Sequence, residues 1–383
     1  MSTLRDTLAR YVQDGSVPGA LGLIARGDRL EVAAVGSIDL AGTAPMARDA
    51  IFRIASITKP ITAAAVMLLV EDGRIALDEP VAKWLPELTA PRVVRTPAGP
   101  VHDLVELARP ITVYDLLTSG AGYGFASDFT LPAVQQLFGV QKDGRAPRLF
   151  EAPDEWMAAL ARVPMLYQPG AAFLYGTCSD LQGVLIARAS GQPLPDFLAE
   201  RLFSPLGMVD TAFEVPAAKR HRFTSYYTIG ADGALELADG PDGQWNGLPA
   251  FPSGGGGLAG TVDDWYAFAR MLLAEGTVER TGRRLLSRQS VRQMMTNQLT
   301  GEQRDVGVLF LEGQGWGFGG SVDLARTEVW NVPGRYGWVG GTGTTAHVIP
   351  ATGGVGVLLS QVGMTDPTPT PLMRDFWRCT AEF

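Results

Sequence analysis

Ser56 and Lys59 pair a nucleophile with a base at a spacing of three residues. A serine hydroxyl is a weak nucleophile at neutral pH, so an enzyme that uses one holds a base within hydrogen-bond reach. Residues three apart lie on the same face of a helix, which places the Lys59 amine beside the Ser56 hydroxyl. The spacing therefore predicts a serine nucleophile that is activated by a lysine.

The pair stands at the start of a predicted helix within residues 51–70, IFRIASITKPITAAAVMLLV. This helix is apolar nearly all round and is therefore expected to be buried. Burial and the helix dipole favour the neutral, basic form of Lys59, and the N–H of Ser56 is left without a helical acceptor, free to bind an oxyanion. An S-x-x-K spacing also arises by chance, but this is the only one in the chain, and a lysine on a buried helix has no structural role there.

Composition limits the classes of partner and cofactor. The 40 acidic and 32 basic residues give a formal net charge of -8 without long runs of like charge, which argues against a nucleic-acid partner. Cys178 and Cys379 lie in neither a CxxC nor a metal-ligand spacing, so we expect reduced thiols, no metal site and no cofactor. The N-terminal MSTLRDTLARYVQDG is typical of an amphipathic helix rather than a signal peptide, and no apolar stretch reaches about 18 residues. We expect a soluble, cytoplasmic protein without a membrane partner.

Strand patterns occur at both ends of the chain. Residues 21–38 predict a hairpin that turns at Gly27 and Asp28. The segments RYGWVGGTGTTAHVIP and VGVLLSQV predict further strands near the other end, followed by a helix from about Pro371. Together they predict an α+β fold in which one antiparallel sheet, built from both ends, is flanked by helices.

The middle of the chain carries helical patterns instead. Stretches such as DEWMAALARV and SDLQGVLIARASG predict a mostly helical inserted domain over residues 78–249. The sheet domain is then expected to comprise residues 1–77 and 250–383. Thr261 has the position of a helix cap where the chain returns to the sheet domain.

Several separated sequence blocks follow one another in a recognisable order. These are IFRIASITKP, DLLT, PGAAFLYGT, PSGGGGL and GWVGG, and they span most of the chain. In them the chain resembles the superfamily of serine β-lactamases and penicillin-binding proteins, whose first motif is S-x-x-K. Within it, the sequence is most similar to the esterases of family VIII. The resemblance implies a β-lactamase-like fold, a site in the cleft between the two domains and a small-molecule ester as substrate.

The resemblance also assigns roles to residues around the second motif. Tyr175 matches the family's tyrosine, which implies that it shares a proton with Lys59 during catalysis. Thr177 stands where lactamases usually carry asparagine. Tyr123 and Phe125 follow the DLLT block, which implies that they line the substrate pocket.

The third motif differs from that of the lactamases. Trp338 replaces the lysine of K-T-G, which implies a preference for uncharged acyl groups. Val339 departs from the W-G-G of the esterases, and Gly340 is expected to bind substrate. By the same resemblance, the N–H of Gly341 joins that of Ser56 as the oxyanion hole, since glycine permits close approach of the strand.

Other functions stay open at this point. The histidines His102, His221 and His347 occur without a G-x-S-x-G elbow, so a Ser-His-Asp triad lacks its usual frame. An amide hydrolase, a weak β-lactamase, a D,D-peptidase-like enzyme and an acyltransferase share the expected acyl-enzyme chemistry. A catalytically silent binding protein of the same fold is the alternative from a different class.

Overall fold

The two ends of the chain form one sheet in the computed structural model, which describes residues 3–383. The strands in this range are β1 (Gly19–Arg26), β2 (Arg29–Gly36), β3 (Phe52–Arg53), β4 (Val93–Val94), β5 (Leu104–Val105), β6 (Tyr226–Ile229), β7 (Leu235–Asp239), β8 (Ala259–Gly260), β9 (Thr277–Val278), β10 (Arg283–Arg284), β11 (Gly315–Trp316), β12 (Ser321–Val322), β13 (Tyr336–Gly340), β14 (Thr344–Ile349) and β15 (Gly354–Ser360). The central sheet is antiparallel, in the order β11-β12-β13-β14-β15-β1-β2. Leu23 of β1 lies opposite Val357 of β15. The prediction of one antiparallel sheet built from both ends is confirmed.

The first hairpin turns where the sequence predicts it. Gly27 adopts a φ of +58°, a conformation that glycine reaches without steric cost, and Asp28 completes the turn between β1 and β2. Arg26 then lies opposite Arg29, and the register continues to Gly19 opposite Gly36.

Helices cover both faces of this sheet. The α-helices within residues 3–383 are α1 (Leu4–Gln13), α2 (Lys59–Glu71), α3 (Val113–Leu117), α4 (Pro132–Val140), α5 (Pro153–Leu160), α6 (Thr177–Ser190), α7 (Leu194–Leu198), α8 (Ser204–Leu206), α9 (Val262–Leu273), α10 (Arg288–Met294), α11 (Gly301–Asp305), α12 (Val308–Leu311) and α13 (Pro371–Glu382). Successive residues of a strand point to opposite faces. Accordingly Ile24 packs in a core with Leu8 of α1 and Phe376 of α13, whereas Leu23 belongs to the larger core that contains α2 and α9.

Shorter helical turns complete the chain. They are 3-10 helices at Ala55–Thr58, Val81–Lys83, Pro86–Leu88, Pro147–Leu149 and Ala217–Arg222, and a π-helical turn at Ala199–Phe203. The predicted cap is confirmed, because Thr261 Oγ1 accepts a hydrogen bond of 3.2 Å from the N–H of Asp264 in the first turn of α9. Across residues 3–383, each helix is too short or too polar to reach from one side of a membrane to the other.

Residues 78–249, the middle of the chain, contact the segments that precede and follow them at several points. They contain α3 to α8 and the hairpins β4–β5 and β6–β7, and α6 packs along α2. Phe223 forms a bridge with Ile51, and Tyr227 forms one with Val362. The division into a sheet domain and an inserted domain over residues 78–249 stays a prediction.

Candidate active site

Ser56 lies on the 3-10 turn at Ala55–Thr58, which leads directly into α2. Residues three apart eclipse each other on a 3-10 turn, so the geometry brings Lys59 over Ser56. Ala55 has a φ of +45°, a strained conformation for a residue with a side chain. The N–H of Ser56 belongs to the first turn, where backbone donors have no acceptor within the helix. Strain and an available donor thus coincide at the serine.

The amine of Lys59 is held between two oxygens. The side chain is buried at 3% exposure, and Nζ lies 2.9 Å from Ser56 Oγ and 2.6 Å from the carbonyl oxygen of Gly255. It also lies 4.8 Å from the centroid of the Tyr175 ring. The structure therefore brings together the three side chains that the sequence and the resemblance single out.

Asp180 organises the loop that holds Lys59, and sequence reasoning missed it. Its carboxylate accepts hydrogen bonds from Ser253 Oγ at 2.6 Å, the N–H of Gly255 at 2.9 Å and Gln141 Nε2 at 2.7 Å. The N–H and the carbonyl of Gly255 are thus fixed by Asp180 and Lys59, respectively. An aspartate on the otherwise buried first turns of α6 is the sequence signal that could have found it, because buried aspartates are rare without partners.

Tyr175 is positioned by its neighbours in the chain and by Trp338. Its backbone exchanges two hydrogen bonds of 2.9 Å with Phe125, just before α6 begins. Trp338 Nε1 donates a hydrogen bond of 2.8 Å to Tyr175 Oη. Because the indole donates, the hydroxyl proton of Tyr175 remains available to another acceptor.

The two glycines of the third motif have different surroundings. Gly341 faces the cleft, and its carbonyl oxygen accepts a hydrogen bond of 2.9 Å from the N–H of Met364, which fixes the peptide. Gly340 packs inward instead: a Cβ there would lie 2.1 Å from Thr344 Oγ1 and 2.6 Å from the carbonyl oxygen of Ile54. This packing of β13 on the Ser56 turn keeps Gly340 off the cleft wall, and its contact with substrate stays a prediction.

An open cleft of about 690 Å³ gives access to these groups. Its walls are formed by Ala55, Ser56, Lys59, Phe125, Phe129, Phe138, Gln141, Lys142, Asp143, Gly144, Arg145, Tyr175, Gly176, Asp180, Ser253, Gly255, Gly256, Phe310, Trp338, Val339, Gly341, Met364, Thr365, Asp366 and Pro367. Phe125 and Trp338 are among them, and their contact with substrate stays a prediction. Tyr123 is not, and the prediction that it lines the pocket is wrong: it is 2% exposed, and this burial raises its pKa.

A charged pair stands at the edge of the cleft. Arg145 Nη2 lies 2.6 Å from Asp143 Oδ2, and Arg145 Nη1 lies 3.5 Å from the carbonyl oxygen of Gly341. Partial desolvation opposes ionisation of Asp143, but the hydrogen bond and charge of Arg145 hold its pKa below the usual value. The edge of the cleft beside Gly341 is therefore polar and ionised.

The histidines lie apart from the cleft. His102 and His221 are exposed, and His347 lines a separate cavity of about 230 Å³ behind Trp338. His347 Nδ1 shares a hydrogen bond of 3.1 Å with Thr345 Oγ1. Burial of the imidazole, together with the charge of Arg335, lowers the pKa of His347 well below its usual value. A histidine is thus not placed to act as the base for Ser56.

Both cysteines are free thiols, as predicted. Burial raises the pKa of Cys178 to about 12, which keeps this thiol protonated at neutral pH. Burial also raises the pKa of Cys379.

Comparisons with known proteins agree with the resemblance that the sequence motifs indicate. A family model described as Beta-lactamase matches residues 4–372. Protein Rv1367c of Mycobacterium tuberculosis is 38% identical over 349 residues, which cover 88% of this chain and 84% of that protein. Esterase EstB of Burkholderia gladioli is 35% identical over 263 residues, which cover 64% of this chain and 63% of that protein.

A solved structure shares the fold over nearly the full length. It is EstCE1, described as a hydrolase with promiscuous acyltransferase activity, and it aligns with a TM-score of 0.81 at 23% identity, covering 99% of this chain and 97% of that one. The predicted fold class and the resemblance drawn from the motifs are confirmed. With a family match that extends over residues 4–372, this chain belongs to the beta-lactamase family.

Proposed function

We propose that the protein is a serine hydrolase that cleaves carboxylic esters through an acyl-enzyme on Ser56. The observation that carries this proposal is the 2.9 Å contact between Lys59 Nζ and Ser56 Oγ on a wall of an open cleft. A hydroxyl in contact with a buried amine meets the requirement for an activated nucleophile. The similarity to Esterase EstB of Burkholderia gladioli supports esters as the substrate class.

The reaction begins when Ser56 Oγ attacks the ester carbonyl and its proton passes to Lys59. The carbonyl oxygen becomes an oxyanion, which the N–H groups of Ser56 and Gly341 stabilise; one such donor is worth about 10²- to 10³-fold in rate. Tyr175 then protonates the departing alcohol oxygen and regains a proton from Lys59. Water attacks the acyl-enzyme in the second half, with the same groups moving protons in reverse.

Esters are favoured over β-lactams and peptides by the residue at the third motif. Trp338 offers an indole N–H where a lysine would hold the substrate carboxylate, and this N–H already binds Tyr175. An aromatic wall favours an uncharged group beside it. Amide hydrolysis, β-lactam hydrolysis and D,D-peptidase-like activity are therefore expected to be weaker than ester hydrolysis.

Acyl transfer is a second candidate. The acyl-enzyme reacts with whichever hydroxyl reaches it, and the cleft presents four phenylalanine rings that can hold an acceptor alcohol in place of water. The similarity in fold to EstCE1 is compatible with both outcomes. Hydrolysis remains the primary proposal because water needs no binding site.

Turnover of p-nitrophenyl acetate tests the proposal. The wild type is expected to release p-nitrophenol in a burst followed by a slower steady state, and Ser56→Ala is expected to lose both. Ser16→Ala, which changes an exposed serine, is the matched control and should behave as wild type. Labelling by a fluorophosphonate probe separates an enzyme from a silent binding protein, because only an activated Ser56 reacts. Unchanged turnover in Ser56→Ala would contradict the proposal.

A further inference from the structure

Four phenylalanine rings form a continuous apolar surface along one side of the cleft. This aromatic arm consists of Phe125, Phe129, Phe138 and Phe310. The Phe125 and Phe138 rings lie 4.8 Å apart between centroids, and Phe129 lies 6.0 Å from both Phe138 and Phe310. Phe138 is nevertheless 46% exposed. An apolar surface of this kind that opens into a cleft marks a binding site for an apolar group.

The aromatic arm is continuous with Tyr175. The Phe310 ring stacks on the Tyr175 ring at 4.6 Å with an angle of 21° between their planes. Phe125 is joined to Tyr175 by two backbone hydrogen bonds. A group attached to the oxygen that Tyr175 protonates therefore lies beside these rings.

Another part of the cleft wall is polar. Arg145 and Asp143 stand there, and Arg145 lies next to the carbonyl of Gly341, on the side of the proposed oxyanion hole. Asp366 and Gln141 are further polar residues of the cleft wall. An apolar group gains nothing from these neighbours, so it is directed to the aromatic arm.

We propose that the aromatic arm binds the alcohol half of the ester, and that this alcohol is bulky and apolar, with an aromatic or alicyclic ring. The inference rests on the proposed function, because the proton from the Tyr175 hydroxyl must reach the leaving oxygen. As the acyl carbon–oxygen bond breaks, its electron pair stays on that oxygen, which takes the proton and leaves as the free alcohol. Lys59 returns to Tyr175 the proton that came from Ser56.

Two isomeric esters test the side of the bond on which the ring binds. Benzyl acetate carries its ring on the alcohol, and methyl phenylacetate carries the same ring on the acyl group. The wild type is expected to prefer benzyl acetate in kcat/KM. Phe138→Ala is expected to lower the ratio of kcat/KM for benzyl acetate to kcat/KM for methyl phenylacetate by about tenfold, because it removes apolar contact from the alcohol only.

Matched variants separate binding from folding. Phe138→Leu, which keeps an apolar side chain, is expected to lower the ratio by less than Phe138→Ala. Leu149→Ala changes another exposed apolar residue, outside the cleft, and should keep the wild-type ratio. Phe129→Ala provides a second, independent change within the aromatic arm and is expected to lower the ratio as well.

The outcomes distinguish this inference from the function beneath it. A preference for methyl phenylacetate, or an unchanged ratio in both Phe138→Ala and Phe129→Ala, would overturn the inference while leaving an esterase. No turnover of either isomer, or of p-nitrophenyl acetate, by the wild type would overturn the proposed function and the inference with it.

Discussion

The floor and the rim of the cleft are built differently. The cleft floor, defined as Ser56, Lys59, Asp180 and Gly255, is held by buried hydrogen bonds, and Lys59 and Asp180 are each 3% exposed. The cleft rim, which contains Phe138 and the segment 142–145, is largely accessible, with Phe138 at 46% exposure. Under the proposed function, the buried, hydrogen-bonded groups of the floor carry the bond chemistry, and the accessible groups of the rim contact the variable part of the substrate.

Replacing a lysine in each region gives the largest expected contrast. Lys59→Met is expected to lower kcat/KM for p-nitrophenyl acetate by about 10³-fold, because it removes the base for Ser56. Lys142→Met on the rim should cost about threefold or less. Lys83→Met, at an exposed site remote from the cleft, is the control and should leave the rate unchanged. Similar losses in Lys59→Met and Lys142→Met would abolish the distinction between floor and rim.

The next largest effect is expected for the carboxylate of the floor. Asp180→Asn replaces one acceptor oxygen with a donor. Oδ1 accepts from both Ser253 Oγ and the N–H of Gly255, and Oδ2 accepts from Gln141 Nε2, so one of these two sets of donors loses its acceptor and the loop that holds Lys59 is disturbed. We expect kcat to fall by about 10- to 100-fold with a smaller change in KM.

Thermal unfolding provides the control for Asp180→Asn. The loss in kcat should persist at temperatures far below the midpoint of unfolding, where the variant is fully folded. Asp196→Asn, an exposed change, should be neutral. An increase in KM without a fall in kcat would mean that Asp180 acts on substrate binding and not through Lys59.

A smaller effect is expected where floor and rim meet. Trp338→Phe keeps a ring against Trp316 but removes the hydrogen bond from Nε1 to Tyr175 Oη. We expect kcat/KM for ester hydrolysis to fall by about 3- to 10-fold. The loss should be greater for benzyl acetate than for p-nitrophenyl acetate, because a poor leaving group depends more on protonation by Tyr175. Equal losses for the two esters would place Trp338 outside the proton path.

The smallest effect on activity is expected at an ion pair remote from both regions. Hydrogen bonding from Arg222, aided by Lys219, lowers the pKa of Asp210 to about 2 against its ordinary value of 3.8. Since the folded state depresses this pKa, the stabilisation is complete above the ordinary value and is lost as the pH falls through about 2.

Asp210→Asn tests this pH dependence. It should lower Tm by about 2–4 °C at neutral pH and leave kcat unchanged. The difference in Tm from wild type should shrink as the pH falls toward 2. A difference that stays constant with pH would contradict the assignment to Asp210.

The local part of the site could be predicted from the sequence. Ser56 and Lys59 are three residues apart, so their contact depends on one turn of helix rather than on the whole fold. The first hairpin was also predictable, because Gly27 and Asp28 fix the turn between two strand patterns. In each case, short-range geometry decides the outcome.

The remainder depends on contacts between distant segments. Asp180 reaches Gly255 across 75 positions of the chain, and no local pattern reports that hydrogen bond. Tyr123 follows the DLLT block, and the resemblance alone implied a place in the pocket, yet packing turns its ring into the core. Gly340 and Gly341 are neighbours on β13 and the loop after it, and only the packing of Gly340 against Ile54 decides which one faces the cleft.

The identity of the acylated residue decides whether Ser56 is the nucleophile. Wild-type protein is mixed with p-nitrophenyl acetate, quenched in acid during the burst, digested and analysed by mass spectrometry. One acetyl group is expected on the peptide that contains Ser56, and none on that peptide in Ser56→Ala. Acetylation of a different residue, or ester turnover without any acylated protein, would contradict the role of Ser56 as nucleophile.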